Sequence, residues 1–449
     1  MTVLTDKPSA GPVRRAERAL APDLTRGFML LFIALANAAN FAFAGQPGLD
    51  GTPHGLQRVV NFLMTTLVDS RAYPVFAVMF GYGLVQLARR HRAAGVGARR
   101  ILLRRNTALI VFGLAHATLL YFGDFLGAYG IVGIIATLLL LWRGDRFHRV
   151  VLWLWGFQTV YAAVLAVIAV TTAHAGHATI VNSPNPSLAA SSYARSMVDR
   201  LTEWPAHTAT VLPFLVIVWL GIWAARRRLL EEPGRHLTLL RRTAVVALGI
   251  SILGSLPYAL VAAGVLHLDA GTVDAMYRVH AVTGEYGGPG YVALFALIAY
   301  RLAGHTDRVA PIVALGQRSL SGYLFQSVCW VLLFSPWALN LNGTRVAAVA
   351  AIAVWVLSLG IAQRMSERDY RGPAETLLRR ITYRPAALHR APATTDRGAA
   401  STEPAAVFTD RGAASTEPAA VLTDRGAVTT EPAAVITDRG AASTDRGAA

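Results

Sequence analysis

The chain has 449 residues, of which 54% are hydrophobic and 15% are charged. An ordinary soluble domain carries about 25% charged residues, so this composition excludes a water-soluble globular protein and indicates a polytopic membrane protein. The 42 lysines and arginines outnumber the 26 aspartates and glutamates, giving a formal net charge of +16. Because the arginines flank apolar segments and do not alternate with aromatic residues on a soluble face, we do not expect nucleic acid as a partner.

Apolar segments occur along most of the chain. A tilted helix needs about 20 residues to cross ~30 Å of hydrocarbon. Ten segments approach that length, and they span 27–44, 72–88, 104–121, 124–142, 150–172, 208–225, 243–265, 288–303, 312–334 and 346–363. A further segment, 58–70, is predicted to be half-buried. We therefore predict an all-α, polytopic helical bundle of about ten transmembrane helices.

The first 26 residues are polar and basic, and they are predicted to form a cytoplasmic N-terminal tail. In the segment that follows, Ala42-Phe43-Ala44 has the small-residue pattern of a signal-peptide cleavage site, so a cleaved signal peptide is the alternative. Asn37 and Asn40 interrupt the apolar region, and further spans follow it. This pattern favours an uncleaved first helix.

The distribution of basic residues predicts the orientation. With the N-terminus inside, the cytoplasmic segments hold 35 of the 42 lysines and arginines, including the seven arginines of 89–105. The loops on the opposite side hold four. The excess of basic residues in cytoplasmic loops of membrane proteins then places both termini in the cytoplasm. We expect a multi-pass protein of the cell membrane whose partner is the lipid bilayer.

The C-terminal region differs from the rest. From Thr395 the unit TDRGAASTEPAAV recurs with a 14-residue period, which is too poor in apolar residues to build a packed core. We predict a membrane domain over 27–385 and a disordered low-complexity tail over 386–449. The longest loop, 173–207, is predicted to lie outside the cell with a short interfacial helix at 192–204.

The sequence offers no metal site. Cys329 is the only cysteine and lies inside an apolar run, so it supports neither a disulfide nor a thiolate ligand. His174 and His177 are three residues apart, but they lack nearby carboxylates. No metal and no bound cofactor are expected.

Five polar residues are predicted to lie in the outer half of the membrane: Asn37, Arg71, His116, Asp124 and Glu285. Ionisable groups at that depth are costly and usually face a bundle interior or a water-filled cavity. One interpretation is a polar pocket open to the outside, in which His116 acts as a general base and Asp124 orients it. The other is a structural set of hydrogen bonds that joins the helices.

Five blocks of the sequence resemble the YeiB-like family, a domain of unknown function (DUF418). They are SRAYPVFAVMFGYG (70–83), FGLAHATLLYFGDFLGAYG (112–130), GGPGYVALFALIAYR (287–301), LGQRSLSGYLFQS (315–327) and YRGPAETLLRRITY (370–383). The resemblance covers roughly residues 24–385. It implies a distant kinship with multi-span acyltransferases that modify glycans.

That kinship bears on the first span. Arg26-Gly27 stands at its cytoplasmic end, and Asn37 follows eleven residues later, where the related O-acetylating enzymes typically have a catalytic histidine. An amide cannot act as a general base. Either another residue accepts the proton, with His116 the best candidate, or this branch transfers no acyl group.

Our leading hypothesis is a membrane-embedded acyltransferase. The donor is a cytoplasmic thioester such as acyl-CoA, used as a co-substrate, with Arg26 and the arginines of 89–105 contacting its phosphates. The acceptor is a hydroxyl or amine of a lipid or glycan of the cell envelope. The donor then approaches from the inside, whereas the five polar residues lie in the outer half.

In this hypothesis His116 accepts the proton of the acceptor and Asp124 sets its tautomer. Asn37 or Arg71 stabilises the oxyanion, and Glu285 belongs to the substrate-facing set.

Two alternatives stay open. A small-molecule transporter would have broken helices near mid-membrane, and the glycines at 81–83 and 287–290 are candidate breaks. Close helix packing is the favoured explanation of the 81–83 glycines. A non-catalytic membrane partner protein would use the polar residues only to fix helix packing.

Overall fold

The computed structural model describes residues 19–95 and 97–383. The repeats predicted in the C-terminal tail and most of the predicted N-terminal tail lie outside these residues. The described chain is mostly helical. Its first ten helices are α1 (Leu20–Ala42), α2 (Leu56–Leu67), α3 (Ala72–Ala93), α4 (Ala98–Leu119), α5 (Phe125–Ile135), α6 (Asp145–His148), α7 (Val150–Thr171), α8 (Pro186–Ala189), α9 (Tyr193–Val211) and α10 (Leu215–Arg226).

The remaining helices of the described chain are α11 (Leu237–Ala262), α12 (Ala270–Gly284), α13 (Gly287–Arg301), α14 (Ala310–Gln317), α15 (Ser319–Phe334), α16 (Thr344–Glu367) and α17 (Pro373–Thr382). A π-helical turn extends α5 to Leu140, and a 3-10 turn joins α9 to α10. Two short strands, β1 (Gly45–Gln46) and β2 (Ser183–Pro184), pair antiparallel and tie the loop after α1 to the loop after α7.

Five helical segments in the described chain are long and apolar enough to cross a membrane. They are Leu20–Ala42, Asp145–Thr171, Tyr193–Arg226, Pro233–Ala262 and Thr344–Glu367. Large apolar side chains cover their outer faces: Trp153 is 73% exposed, Phe157 70% and Val245 74%. A water-soluble protein does not expose apolar surface on this scale, so the structure is that of a helical membrane protein.

Every segment predicted to span the membrane is largely helical, although the span predicted at 312–334 is divided into α14 and α15 and several boundaries shift by up to seven residues. α1 begins at Leu20, seven residues before the predicted start of 27, so Arg26 lies inside the helix and not in a tail. The interfacial helix predicted at 192–204 extends to Val211 and continues into α10. Ser192 caps its first turn by accepting a hydrogen bond from the Arg195 backbone N–H at 3.3 Å.

Two glycines allow α3 and α10 to cross at very short distance. A Cβ atom added at Gly81 would lie 2.0 Å from the carbonyl oxygen of Val218, and one added at Gly221 would lie 2.1 Å from that of Val78. Only glycine leaves room for backbones this close. α3 is continuous through 81–83, so the helix break that the transporter hypothesis placed there is wrong, and packing explains these glycines.

A similar contact joins α4 to α5. A Cβ atom at Gly113 would lie 2.1 Å from the backbone nitrogen of Gly127, and one at Gly130 would lie 2.7 Å from the carbonyl oxygen of Asn106. These two helices carry His116 and the N-cap Asp124, so the glycines set the distance between the two side chains.

Hydrogen bonds join the block 370–383, which contains α17, to the start of α15. The Glu375 carboxylate accepts hydrogen bonds from the backbone N–H groups of Leu320 at 2.8 Å and Ser321 at 3.1 Å. Arg318 donates to the Tyr370 carbonyl at 2.7 Å. An acidic group at a helix N-terminus satisfies unpaired N–H groups and complements the helix dipole.

Gly81→Ala is expected to destabilise the protein by about 1–3 kcal/mol, because the new methyl group meets a backbone carbonyl that cannot move aside. Gly83→Ala, two residues along the same helix, is the matched control, since its Cβ would meet only the Arg26 side chain at 3.4 Å. Thermal unfolding in detergent should show a lower midpoint for Gly81→Ala alone. Equal midpoints for the two variants would contradict the packing explanation.

Candidate functional site

His116 lies in the last turn of α4 and is 3% exposed. Its Nδ1 is 2.9 Å from Oδ1 of Asp124, and its Nε2 is 2.8 Å from Oγ of Ser327 on α15. The imidazole therefore bridges three segments: the end of α4, the N-cap of α5 and the middle of α15. Asp124 and Ser327 are 0% and 1% exposed, so the whole group is shielded from water.

The Asp124 carboxylate is fixed by a second bond. Its Oδ2 accepts from the Gly127 backbone N–H at 2.7 Å and so caps α5. Because a carboxylate only accepts, Nδ1 of His116 donates to Asp124, and Nε2 faces the Ser327 hydroxyl, which also lies 3.2 Å from the Tyr323 carbonyl oxygen as a second acceptor. The order carboxylate, imidazole, hydroxyl is the arrangement in which a histidine removes a proton from a hydroxyl nucleophile.

Ser327 was not singled out in the sequence. It lies 211 positions from His116, so no local spacing connects the two residues. Its presence in the block 315–327, which carries the family resemblance, was the one available signal. His116 and Asp124 were predicted together because only eight positions separate them, across one turn.

A cavity of about 150 Å³ is lined by Arg26, Arg105 and Tyr323, among other residues. The Tyr323 ring lies 4.8 Å from the His116 ring, so Tyr323 stands between the cavity and the buried group; His116, Asp124 and Ser327 do not themselves line it. We call the end of the bundle that carries residues 89–105 the arginine-rich end. Most of the cavity's other lining side chains are apolar, among them Met29, Ile33, Phe76, Leu109, Phe125 and Leu126.

The two arginines are the groups of the cavity suited to a phosphate-bearing ligand. Arg26 Nη1 lies 3.3 Å from the Asp23 carboxylate, and the Arg105 guanidinium lies 5.9 Å from the centre of the Phe80 ring. Among the described residues, no carboxylate forms an ion pair with Arg105. Guanidinium groups bind phosphate through paired N–H donors, so this end can receive an anionic group.

Arg71 belongs to a second, separate cluster. Its fully buried guanidinium donates to the Ser251 carbonyl at 2.7 Å, to the Ser255 hydroxyl and to the Asp69 carbonyl. His280 joins this cluster, with Nε2 2.9 Å from the Asp69 carboxylate and Nδ1 3.1 Å from the Ser255 hydroxyl. None of these contacts reaches His116. The sequence placed Arg71 and His116 at similar depth in the membrane, but similar depth does not put two side chains in one pocket.

The two other predicted residues lie elsewhere. Glu285 follows α12 and accepts a hydrogen bond from Gln158 on α7 at 3.1 Å. Asn37 is buried within α1 at 7% exposure. The structure therefore brings together His116 and Asp124 and separates Arg71 from them, and it buries the pair where the sequence predicted a pocket open to the outside.

No group of three or more potential metal-binding side chains (His, Cys, Asp or Glu) occurs in the parts of the chain that the structure describes.

Comparison with known proteins identifies relatives over most of the chain. Residues 224–385 match the family described as protein of unknown function (DUF418). The uncharacterised protein YxaH of Bacillus subtilis is 22% identical over 416 residues, which cover 84% of this chain and 96% of YxaH. The chain therefore resembles the YeiB-like (DUF418) proteins over most of its length. The expected resemblance is confirmed.

Two further relatives support this resemblance. The uncharacterised protein YeiB of Escherichia coli is 25% identical over 82% of this chain and 97% of its own length. An uncharacterised 39.9 kDa protein encoded in the amylase 3′ region of Bacillus acidopullulyticus is 32% identical over 28% of this chain and 34% of its own length. The family match over 224–385 includes Ser327 and α17 and leaves out His116 and Asp124.

Removing the Asp124 side chain should destabilise the protein more than converting it to an amide. Asp124→Ala loses the α5 cap, worth about 1 kcal/mol, and leaves the buried Nδ1 of His116 unpaired, which costs about 1–3 kcal/mol more. Asp124→Asn retains an oxygen for the cap. Thermal unfolding should rank the wild type above Asp124→Asn and Asp124→Asn above Asp124→Ala.

Asp274→Ala is the control for this series, because Asp274 is an exposed residue that pairs only with Arg278 one turn away. An exposed pair of this kind contributes about 0–1 kcal/mol. An Asp124→Ala variant no less stable than Asp274→Ala would show that the His116 contact does not support the fold.

Proposed function

We propose that the protein is a membrane-embedded acyltransferase. It moves an acyl group from a cytoplasmic thioester of the acyl-CoA type to a hydroxyl or amine of a lipid or glycan of the cell envelope. The supporting observation is the buried Asp124–His116–Ser327 group, which contacts Tyr323 in the wall of an apolar cavity that is also lined by Arg26 and Arg105. A histidine held between a carboxylate and a hydroxyl is suited to acyl transfer through a covalent intermediate.

The first step acylates Ser327. Its Oγ attacks the thioester carbonyl while Nε2 of His116 takes the hydroxyl proton, the carbon–sulfur bond breaks, and the thiolate leaves with that proton. Asp124 keeps the imidazole in the productive tautomer and stabilises its charged form. In the second step the acceptor hydroxyl or amine attacks the Ser327 ester, His116 accepts its proton, and the Ser327 hydroxyl is restored.

Tyr323 is suited to stabilise the oxyanion in both steps. Tyr323 lines the cavity, its ring lies 4.8 Å from the His116 ring, and its buried hydroxyl has no side-chain hydrogen-bond partner within the described residues. A hydroxyl donor in a dry site can donate to a developing oxyanion. Arg71, one of the two residues expected in this role, is already occupied by Ser251, Ser255 and Asp69.

We propose ten membrane crossings with both termini cytoplasmic. Five more crossings join the five long apolar segments: α3, α4, α5 with its π-helical turn, α12 with α13, and α14 with α15. The high basic content of the loops at the arginine-rich end supports its cytoplasmic orientation and a location in the cell membrane. The donor then enters the cavity past Arg26 and Arg105.

A transporter is the second candidate. The chain is interrupted between α12 and α13, and a Cβ atom added there at Gly287 would lie 2.5 Å from the Arg71 side chain. A buried charged cluster beside a broken helix is a common arrangement at transport sites.

Acyl transfer is tested with the purified protein in lipid nanodiscs, radiolabelled acetyl-CoA and longer acyl-CoAs, and envelope extract as the acceptor. His116→Ala should lower turnover at least 100-fold, the scale of a lost general base. His148→Gln is the control, because His148 is equally buried but contacts Trp219 outside the site. Ser327→Ala should abolish covalent labelling of the protein, detected by mass spectrometry after denaturation.

The outcomes separate the candidates. If the wild type turns over thioester without becoming labelled, and Ser327→Ala retains that turnover, Ser327 is not acylated. The acyl group then passes directly from the thioester to the acceptor, with His116 as the general base. If the wild type consumes no thioester, the enzyme proposal fails, and uptake assays with variants of Arg71 and His280 follow. Unfolding midpoints show whether a loss of activity reflects a loss of fold.

The topology has its own test in a Cys329→Ser background. A cysteine at Gly97, in the loop between α3 and α4, should react with a membrane-impermeant maleimide only after cells are permeabilised. A cysteine at Thr179, in the loop after α7, should react on intact cells. Both positions are exposed, so accessibility within the protein is matched. The reverse labelling pattern would overturn the proposed orientation.

A further inference from the structure

A groove of about 1210 Å³ runs between α4 and the segment that contains α17, at the arginine-rich end. Five arginines line it: Arg100, Arg104, Arg371, Arg379 and Arg380. Its other lining residues are Leu103, Thr107, Ala108, Val111, Thr376, Ile381 and Tyr383. The groove is distinct from the cavity beside His116, because α4 and α17 present different residues to each, with Arg105 and Leu378 facing the cavity.

The charge of the groove is not balanced locally. No acidic residue lines it, and none of its five arginines forms an ion pair within residues 19–95 and 97–383. Glu375, the acidic residue of α17, is held at the start of α15. Nη1 of Arg379 is buried without a hydrogen-bond partner among the described residues. Buried guanidinium N–H groups that lack partners indicate an anionic ligand.

The wall of the groove continues onto the outer surface of α4. Val111 lines the groove and is 63% exposed, and Leu114 and Leu119, farther along the helix, are 42% and 48% exposed. These exposed apolar side chains form the lipid-facing side of the helix. A ligand that fits both parts has an anionic head and an apolar tail.

We propose that this groove binds an anionic phospholipid. The arginines hold its phosphate, and its acyl chains lie along α4 over Val111 and Leu114. A free phosphate or a nucleotide would use the arginines and leave the apolar wall exposed, so a lipid accounts for more of the surface. Clusters of Arg at a membrane surface favour anionic lipids by about 1 kcal/mol for each charge.

The test measures lipid binding to the full-length protein by native mass spectrometry from detergent, with phosphatidylglycerol and cardiolipin compared with phosphatidylcholine. The wild type should retain anionic lipid and discriminate against phosphatidylcholine. Arg379→Gln with Arg380→Gln should weaken retention roughly 30-fold, which corresponds to the loss of two charges at about 1 kcal/mol each. Arg241→Gln with Arg242→Gln is the control, because this exposed pair on α11 removes the same charge outside the groove.

A second variant tests the apolar wall without changing charge. Thr107→Trp places a large side chain in the groove and should weaken retention of phosphatidylglycerol while leaving the five arginines in place. Unfolding midpoints in phosphatidylcholine should match the wild type for all variants, and if the Arg379/Arg380 variant fails this check it is replaced by Arg100→Gln with Arg104→Gln.

Three results would overturn the proposal. Equal losses in the groove variant and the Arg241/Arg242 control would show a general charge effect. Displacement of the lipid by inorganic phosphate or by acyl-CoA at concentrations that match the lipid would identify a soluble anion as the ligand. Equal retention of phosphatidylcholine and phosphatidylglycerol would show that the arginines do not select a headgroup. None of these results depends on acyl transfer at His116.

Discussion

The hydrogen bond between Nδ1 of His116 and Oδ1 of Asp124 is the contact on which the centre of this bundle depends. Both groups are shielded from water, and a polar group buried without a partner costs about 1–3 kcal/mol. The same carboxylate caps α5, and the same imidazole reaches α15 through Ser327. Loss of this one bond therefore affects three features together: the N-terminus of α5, the tautomer of the His116 imidazole, and the contact between α4 and α15 through Ser327.

Small residues make that bond geometrically accessible. His116 is near the end of α4 and Asp124 precedes α5, so the two helices must approach closely before the side chains meet. Gly113 and Gly127 provide this approach, since a methyl group at Gly113 would lie 2.1 Å from the Gly127 nitrogen. The glycine-rich sequence around the pair is thus part of the site even though glycine carries no chemistry of its own.

The sequence predicted the helical membrane class, the positions of the apolar helices and the His116–Asp124 contact. Those features depend on composition, on segment length and on residues close in the chain. The depth of a residue in the membrane can be counted from the sequence at 1.5 Å per residue along a helix. The neighbouring helix that its side chain faces cannot be obtained by such counting. For this reason the sequence grouped Arg71 with His116, whereas its hydrogen bonds go to Ser251, Ser255 and Asp69. Ser327, Ser255 and His280 were missed because they come from helices distant in the sequence.

The cavity constrains the kind of donor that the proposed enzyme can use. Arg105 and His116 are eleven positions apart on α4, which corresponds to about 16 Å along a helix. A donor whose phosphate stays at Arg26 and Arg105 therefore needs a long, slender arm between that phosphate and its reactive carbonyl. The apolar lining admits such an arm but offers little to a compact, highly charged donor. If the proposed enzyme takes its donor at the arginine-rich end, this distance selects thioesters whose carbonyl is carried on a long arm.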